Sequence, residues 1–168
     1  GYVQNIITTN FDPLIDKILE NIPHRKIVGE LTSELGDNPK ITFIKAHGDL
    51  KYGNLRFSPF ELQKLPAELE NKIRQLTKGI VIVVGYRGQD IGIMNSLNTS
   101  DDHCAFWVSP TKPEIYDGYT NDPIYDWMKK RNSEGNFIYG EYGDFNILFP
   151  TLVRKLSRSE ERRVGKEC

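Results

Sequence analysis

The sequence predicts an α/β protein, arranged as a three-layer α/β/α sandwich around a mainly parallel sheet. Strand-like and helix-like segments alternate along the chain, which is typical of parallel sheets connected by crossover helices. Residues 80–84 form an apolar run without polar alternation, as in strands buried on both faces of such a sheet. We therefore expect this run to be the central strand. With 168 residues, the chain is long enough for one domain with a hydrophobic core.

The first half of the chain is predicted to hold three strands and two helical regions. The first helix is expected to start at Asp12 and Pro13, because aspartate is a favoured N-cap and proline a favoured first helical residue. Leucines and an isoleucine at helical spacing predict the second helical region, with a break at Pro66. The predicted strands are 2–9, 26–31 and 41–46, and the predicted helical regions are 12–22 and 59–76.

The second half continues the alternation with shorter segments. After the strand at 80–84, the predicted elements are a helix at 89–97, strands at 103–108 and 136–139, and helices at 123–131 and 144–156. Pro150 lies inside the last helix, where proline is unfavourable because it lacks a backbone N–H. The aromatic residues between 116 and 127 are expected to cover an edge of the sheet.

Composition excludes several classes of function. The formal net charge of −1 gives no basic excess for nucleic-acid binding, and no apolar run is long enough to span a membrane. The two cysteines, Cys104 and Cys168, form no C-x-x-C pair, so neither a disulfide framework nor a structural zinc site is expected. We therefore expect a cytoplasmic protein that binds no metal, no nucleic acid and no membrane.

Both ends of the chain suggest a fragment. The sequence opens directly on a strand pattern, so a preceding segment is expected. The last eleven residues, 158–168, lack apolar periodicity and are predicted to be a non-native or disordered tail. The predicted domain is therefore 1–157, truncated at its N-terminus.

Three predicted strands end in polar motifs. These are TTNFD at 8–12, KAHGD at 45–49 and GYRGQD at 85–90. In parallel α/β sheets, ligands bind beyond the carboxyl ends of the strands, near a switch in strand order. This rule alone predicts a site formed by the three motifs. Residues 85–88 could also hold a phosphate through backbone N–H groups, but they match neither a P-loop nor G-x-G-x-x-G.

Within these motifs, each candidate residue also has a structural interpretation. The amide of Asn10 offers donors and an acceptor for a ribose hydroxyl or a water, or it makes a turn. His47 is the best candidate for a general base, and Gly48 beside it would permit close approach of a ligand. The alternative is a structural histidine, which is what we expect of the other two histidines. Asp12 and Asp90 suit helix N-caps, although a cap at Asp12 is compatible with a second role.

Taken together, the motifs resemble the sirtuin-like NAD-hydrolase superfamily. The matching segments are TTNFD, KAHGD, VVGYRGQD and GEYGDFNILFPTL, in that order. They are most similar to the zinc-free branch found in many bacterial defence proteins. The resemblance implies a Rossmann-like sheet, NAD as substrate or ligand, and a role in anti-phage defence. It also implies that a glycine-rich loop should precede the TTNFD motif.

The resemblance assigns roles to residues of each motif. In that family, the first motif meets the nicotinamide ribose and its water, the histidine acts near the ribose hydroxyls, and later motifs line the dinucleotide pocket. The implied catalytic residues are Asn10 and His47. The implied NAD contacts are Thr9, Asp12, Gly85, Tyr86, Asp144 and Phe145, the last two near the adenine.

One departure from sirtuin deacylases decides between activities. Deacylases carry two cysteine pairs between the histidine and the later glycine motif, and here that interval holds no cysteine. The sequence therefore favours hydrolysis of NAD to nicotinamide and ADP-ribose over protein deacylation. A module that senses NAD or ADP-ribose without turnover, and that signals to a partner domain or within a homo-oligomer, remains the competing interpretation.

Overall fold

A computed structural model of the protein describes residues 3–29, 31–100, 103–111 and 122–164, with side chains described as far as residue 157. The predicted α/β class is confirmed, because strands and helices alternate and four of the five strand pairings in the described part are parallel. The strands are β1 Asn5–Thr8, β2 His24–Val28, β3 Leu31–Leu35, β4 Ile41–Lys45, β5 Val81–Val84, β6 Ala105–Val108 and β7 Phe137–Ile138. The helices are α1 Leu14–Leu19, α2 Pro59–Gln63, α3 Ala67–Leu76, α4 Ile91–Ser96, α5 Pro123–Lys130 and α6 Phe145–Val164, with a 3-10 turn at Gly140–Gly143.

The chain divides into two compact units. The first comprises Gly1–Lys78 and Gly88–Asn98, and the second comprises Gly79–Arg87 and Thr99–Cys168. Each unit has a sheet of its own. None of the helices in the described part of the chain is long and apolar enough to cross a membrane.

The sheet of the first unit has the strand order β1-β4-β2-β3. β4 lies between two parallel neighbours, and its residues Phe43 and Ile44 are fully buried. The single strand predicted at 26–31 is wrong, because β2 and β3 form an antiparallel hairpin instead. Gly29, at φ +61°, occupies the left-handed region that the turn requires. All residues of β3 are exposed, so this strand forms the outer edge of the sheet.

The helices of the first unit agree with some of the predicted helix boundaries and differ from others. The break at Pro66 is confirmed, since α2 ends at Gln63 and α3 starts at Ala67. Ser58 and Glu61 form a capping box at the start of α2. The first helix is shorter than predicted, because it ends at Leu19 rather than at residue 22.

The second unit holds a three-stranded parallel sheet in the order β5-β6-β7. The prediction that 80–84 is a central strand buried on both faces is wrong for this sheet, because β5 lies at its edge and Ile82 is 54% exposed. The centre is instead β6, where Trp107 is buried and packs edge-on against Trp127 of α5. The residues between 116 and 121, including two of the aromatic residues predicted to cover a sheet edge, lie outside the described residues.

The last helix is longer than predicted. α6 continues to Val164 rather than ending at residue 156, so its final turns extend into the segment predicted to be a tail. Pro150 lies within the helix, as the sequence indicates, and cannot donate to the carbonyl of Asn146. Short-range helical spacing predicted the existence of this helix correctly, but it did not locate its end.

Candidate functional site

The carboxyl ends of β1 and β4 lie side by side in the first unit. The two strands pair in parallel, with Thr8 opposite Lys45. Asn10 and His47 each follow two residues later, so the TTNFD and KAHGD motifs leave the sheet from the same edge. The structure therefore places two of the three predicted strand-end motifs at one edge of the sheet. Of the third motif, Asp90 also belongs to the first unit, where it contacts His47.

The TTNFD loop is fixed by local hydrogen bonds. The backbone N–H of Asn10 donates to Oγ1 of Thr8 at 3.1 Å, and the N–H of Leu14 donates to Oδ1 of Asp12 at 3.0 Å. Asp12 thus accepts from the first residue of α1, but the predicted N-cap at Asp12 is wrong, because the capping position is Pro13 and has no side-chain cap. Thr9 is partly buried, whereas Asn10 is exposed beyond the strand end. The amide of Asn10 is therefore accessible to a ligand.

A buried charge network lies under this loop, and sequence reasoning missed it. Lys45 is completely buried, and its Nζ donates to the carbonyls of Phe11 and Asp12 at 3.0 and 2.8 Å. The same ammonium lies 3.2 Å from Oδ2 of Asp16 and 3.1 Å from Oδ2 of Asp49. Lys45, a residue of the second motif, therefore holds the backbone of the first motif by hydrogen bonds. A lysine inside a mainly apolar strand was the available signal, because a buried charge requires partners.

Lys26 on β2 completes this network of four charges. Its Nζ contacts Oδ1 of Asp16 and lies 2.6 Å from Oδ2 of Asp49. Burial lowers the pKa of Lys26, but hydrogen bonds and charge attraction from the two aspartates outweigh it, and the net shift is upward. Burial likewise raises the pKa of Asp49, but donors from Lys26, the backbone N–H of Lys51 and Lys45 bring it from 3.8 down to about 2. Lys26 and Asp49 therefore each favour the charged form in the folded protein.

Gly48 permits a close approach of two backbone segments. Its φ is +98°, and a Cβ at this position would overlap the carbonyl oxygen of Asn54. The following turn is closed by the N–H of Arg56, which donates to the carbonyl of His47 at 2.8 Å. The expected space for close approach of a ligand at Gly48 is therefore occupied by the protein's own loop.

His47 pairs with Asp90 inside the first unit. The imidazole Nε2 contacts Oδ2 of Asp90, and the two side chains are only 7% and 8% exposed. The other oxygen, Oδ1, accepts from the N–H of Ile93 at 3.1 Å, which confirms Asp90 as the N-cap of α4. The remaining imidazole nitrogen, Nδ1, is buried and has no hydrogen-bond partner among the described residues. Sequence reasoning found the cap and missed the contact with His47.

The other two histidines lie away from the strand-end motifs. His24 is buried, and its Nδ1 lies 2.8 Å from the carbonyl of Ile22, as expected of a structural histidine. His103 is exposed, and its backbone carbonyl accepts from Arg131.

The remaining predicted NAD contacts lie in the second unit. Gly85 is exposed at φ +67°, and the ring of Tyr86 lies 5.9 Å from that of Trp107. Asp144 accepts from the N–H of Asn146 at 2.7 Å through Oδ1, so it caps α6. Phe145 is 60% exposed. Residues 85–88, predicted as a phosphate loop, are divided between the two units, and the NAD contacts of these four residues stay predictions.

Among the described residues, no group of three or more histidine, cysteine, aspartate or glutamate side chains could hold a metal ion. The polar groups at the strand ends are instead an amide, an imidazole and carboxylates that are already paired with protein donors. Such groups suit hydrogen bonding to hydroxyl groups.

A parallel α/β sheet with polar side chains beyond the carboxyl ends of adjacent strands defines a class of domain that binds ligands at that edge. A family model described as SIR2-like domain matches residues 4–113, which is more than half of the chain. The protein therefore belongs to the SIR2-like domain family. SIR2-like domains bind NAD. Neither the curated proteins nor the solved structures that were searched contain a match to the chain.

Proposed function

We propose that the protein hydrolyses NAD to nicotinamide and ADP-ribose at the strand ends of the first unit. The observation that carries the proposal is the His47–Asp90 pair. One nitrogen of the imidazole is engaged by a carboxylate, and the other is buried with no hydrogen-bond partner among the described residues. A buried polar atom without a partner is costly, so it usually serves a ligand or a water.

The residues at this edge fit the ribose of NAD. With Nε2 facing a carboxylate, Nδ1 of His47 is left as an acceptor, and ribose hydroxyls are donors. Asn10, on the neighbouring strand end, presents an exposed amide that can both donate and accept. Together these groups match the pattern of donors and acceptors on a ribose and its attacking water.

Hydrolysis replaces nicotinamide at C1′ of the ribose by water. The C1′–N bond breaks and its electron pair leaves with nicotinamide, while the water forms the new C1′–O bond and releases one proton. We assign reception of that proton to His47, and placement of the ribose or the water to Asn10 and Asp12. General acid–base help contributes about 10²–10⁴-fold to a rate, and positioning contributes the larger share.

The direct test measures NAD loss and ADP-ribose formation by the purified protein. His47→Ala and Asn10→Ala should each lower kcat at least about 100-fold, because each removes a group placed at the reacting ribose. Matched controls are His103→Ala and Asn21→Ala, which remove an exposed histidine and an exposed asparagine away from the motifs. Undiminished turnover in both His47→Ala and Asn10→Ala would falsify the assignment.

The same preparation separates turnover from sensing. Calorimetry with NAD and ADP-ribose measures binding, and product analysis measures hydrolysis. Binding by the wild type without product would favour a sensing module that passes its signal to a partner domain or a second copy of the chain. Survival of cells under phage challenge, with wild type compared with His47→Ala, tests the defence role that the sequence resemblance predicts.

A further inference from the structure

We propose that Asp90 is a positioning residue that holds His47 in the tautomer with the proton on Nε2. This leaves the Nδ1 lone pair available to accept a proton. The inference rests on the proposed function for its catalytic consequence. Its structural part, the tautomer itself, can be measured without any turnover.

The geometry assigns a separate role to each oxygen of Asp90. Oδ1 accepts from the backbone N–H of Ile93 at 3.1 Å and caps α4, while Oδ2 contacts Nε2 of His47. A carboxylate oxygen accepts hydrogen bonds, so we assign the proton to the imidazole nitrogen that faces it. The opposite tautomer would set the Nε2 lone pair against a buried negative charge, and low exposure of both side chains strengthens that repulsion.

The helix cap also determines what an amide would do at this position. In Asp90→Asn, only the carbonyl oxygen can accept from the N–H of Ile93, so this oxygen must take the place of Oδ1. The NH₂ group then occupies the place of Oδ2 and donates toward Nε2 of His47. Asparagine caps helices about as well as aspartate. The substitution should therefore preserve the helix start while moving the imidazole proton from Nε2 to Nδ1.

This exchange would remove the function proposed for His47. With a proton on Nδ1, the imidazole presents a donor where an acceptor is needed, and it cannot receive a proton from a hydroxyl or a water. In serine proteases, the corresponding amide substitution beside the catalytic histidine lowers kcat about 10⁴-fold because the wrong tautomer forms. A purely structural cap would show no such effect.

The first test is ¹⁵N NMR of the imidazole rings at alkaline pH, above the range in which an ordinary imidazole titrates. The chain has only three histidines, and His47→Gln identifies the signals of His47 by their loss. Wild-type protein should show the Nε2-protonated form, and Asp90→Asn the Nδ1-protonated form. An Nδ1-protonated wild type, or an unchanged tautomer in Asp90→Asn, overturns the inference.

A matched control separates the charge from the cap. Asp122 caps α5 in the same way, with Oδ1 accepting from the N–H of Ile124 at 2.8 Å, but it belongs to the second unit. Asp122→Asn should leave the tautomer of His47 unchanged. A tautomer exchange in this control as well would show that the effect is not specific to Asp90, and would also overturn the inference.

The second test is NAD turnover. Asp90→Asn should lower kcat about 10²–10⁴-fold with little change in KM, because the substitution alters proton transfer rather than binding contacts. Unchanged kcat despite an exchanged tautomer overturns the catalytic consequence. Absence of turnover in the wild type overturns the proposed function instead, and the NMR result then decides the tautomer by itself.

Discussion

The charge network of the first unit predicts that Asp49→Asn loses stability in a pH-dependent manner. Asp49 is 5% exposed and contacts the ammonium groups of Lys26 at 2.6 Å and Lys45 at 3.1 Å. Replacing the carboxylate by an amide leaves the buried Lys45 and the partly buried Lys26 to share Asp16 alone. The amide NH₂ would also face these cations when its oxygen accepts from the N–H of Lys51, as Oδ1 of Asp49 does now at 2.7 Å.

The magnitude follows from the pKa of Asp49. Folding lowers it from 3.8 to about 2, so the folded state favours the charged form. A shift of this size corresponds to about 2 kcal/mol of stability. Because the folded pKa lies below the unfolded one, this stability is fully present above about pH 4 and is lost as the pH falls toward 2. The difference between wild type and Asp49→Asn should therefore be about 2 kcal/mol at pH 7 and should shrink toward zero near pH 2.

The assay must measure unfolding of the first unit, which contains the charge network. Both tryptophans described in the structure, Trp107 and Trp127, lie in the second unit, so tryptophan fluorescence is unsuitable. Urea unfolding followed by the NMR amide signals of Phe43 and Ile44 on β4 reports the first unit, and urea leaves the ionic strength unchanged. A difference that stays constant between pH 7 and about pH 2.5 would refute the reasoning.

The control is a surface ion pair of equally short length. Arg25 and Glu34 face each other across β2 and β3 at 2.6 Å, but their side chains are 42% and 47% exposed. Exposed pairs contribute about 0–1 kcal/mol, because water and salt screen them. Glu34→Gln should therefore cost less than Asp49→Asn at neutral pH, although the two ion pairs have the same shortest distance.

Two further substitutions test how the loops are held. Gly48→Ala should destabilise the first unit by at least about 3 kcal/mol in the same NMR titration, because the new Cβ overlaps the carbonyl of Asn54. The control is Gly53→Ala, at φ +70° with nothing within 4 Å of the added Cβ, which should cost only about 1 kcal/mol. Equal losses of stability in the two variants would contradict the overlap at residue 48. Arg131→Met should lower the free energy of unfolding of the second unit by about 2–4 kcal/mol, as measured by tryptophan fluorescence. The substitution removes Nη2, which donates to two backbone carbonyls at 2.6 and 2.9 Å. Lys130→Met, at an exposed neighbour, should cost under about 0.5 kcal/mol, and a similar loss there would contradict a specific role for Arg131.

Local patterns predicted the elements of this fold well, because helix spacing and breakers act within a few residues. The break at Pro66 and the helix at 123–131 are examples, the latter observed as Pro123–Lys130. The position of a strand in its sheet was not predictable in this way. The apolar run at 80–84 predicted a strand correctly, but the neighbours that make β5 an edge strand come from distant segments.

The same limit applies to the candidate site. Its motifs could be found because polar residues after apolar strands are a local signal, and parallel pairing then places Asn10 and His47 at one edge. The buried network could not be found, because the partner of Lys45 on α1, Asp16, lies 29 residues away in sequence. A lysine in a buried strand indicates that a counter-charge exists without indicating which one.

Asp90 shows why a residue with a complete structural explanation can still have a second role. The local sequence predicts a helix cap, and the structure confirms it, but a cap uses only one of the two carboxylate oxygens. The second oxygen is directed to His47 because α4 starts where it does. The helix start therefore fixes the side chain, and the fixed side chain determines which imidazole nitrogen carries the proton. Aspartate and asparagine are close to equivalent as caps but opposite in the hydrogen bond they offer to the imidazole, so this one substitution separates the two roles.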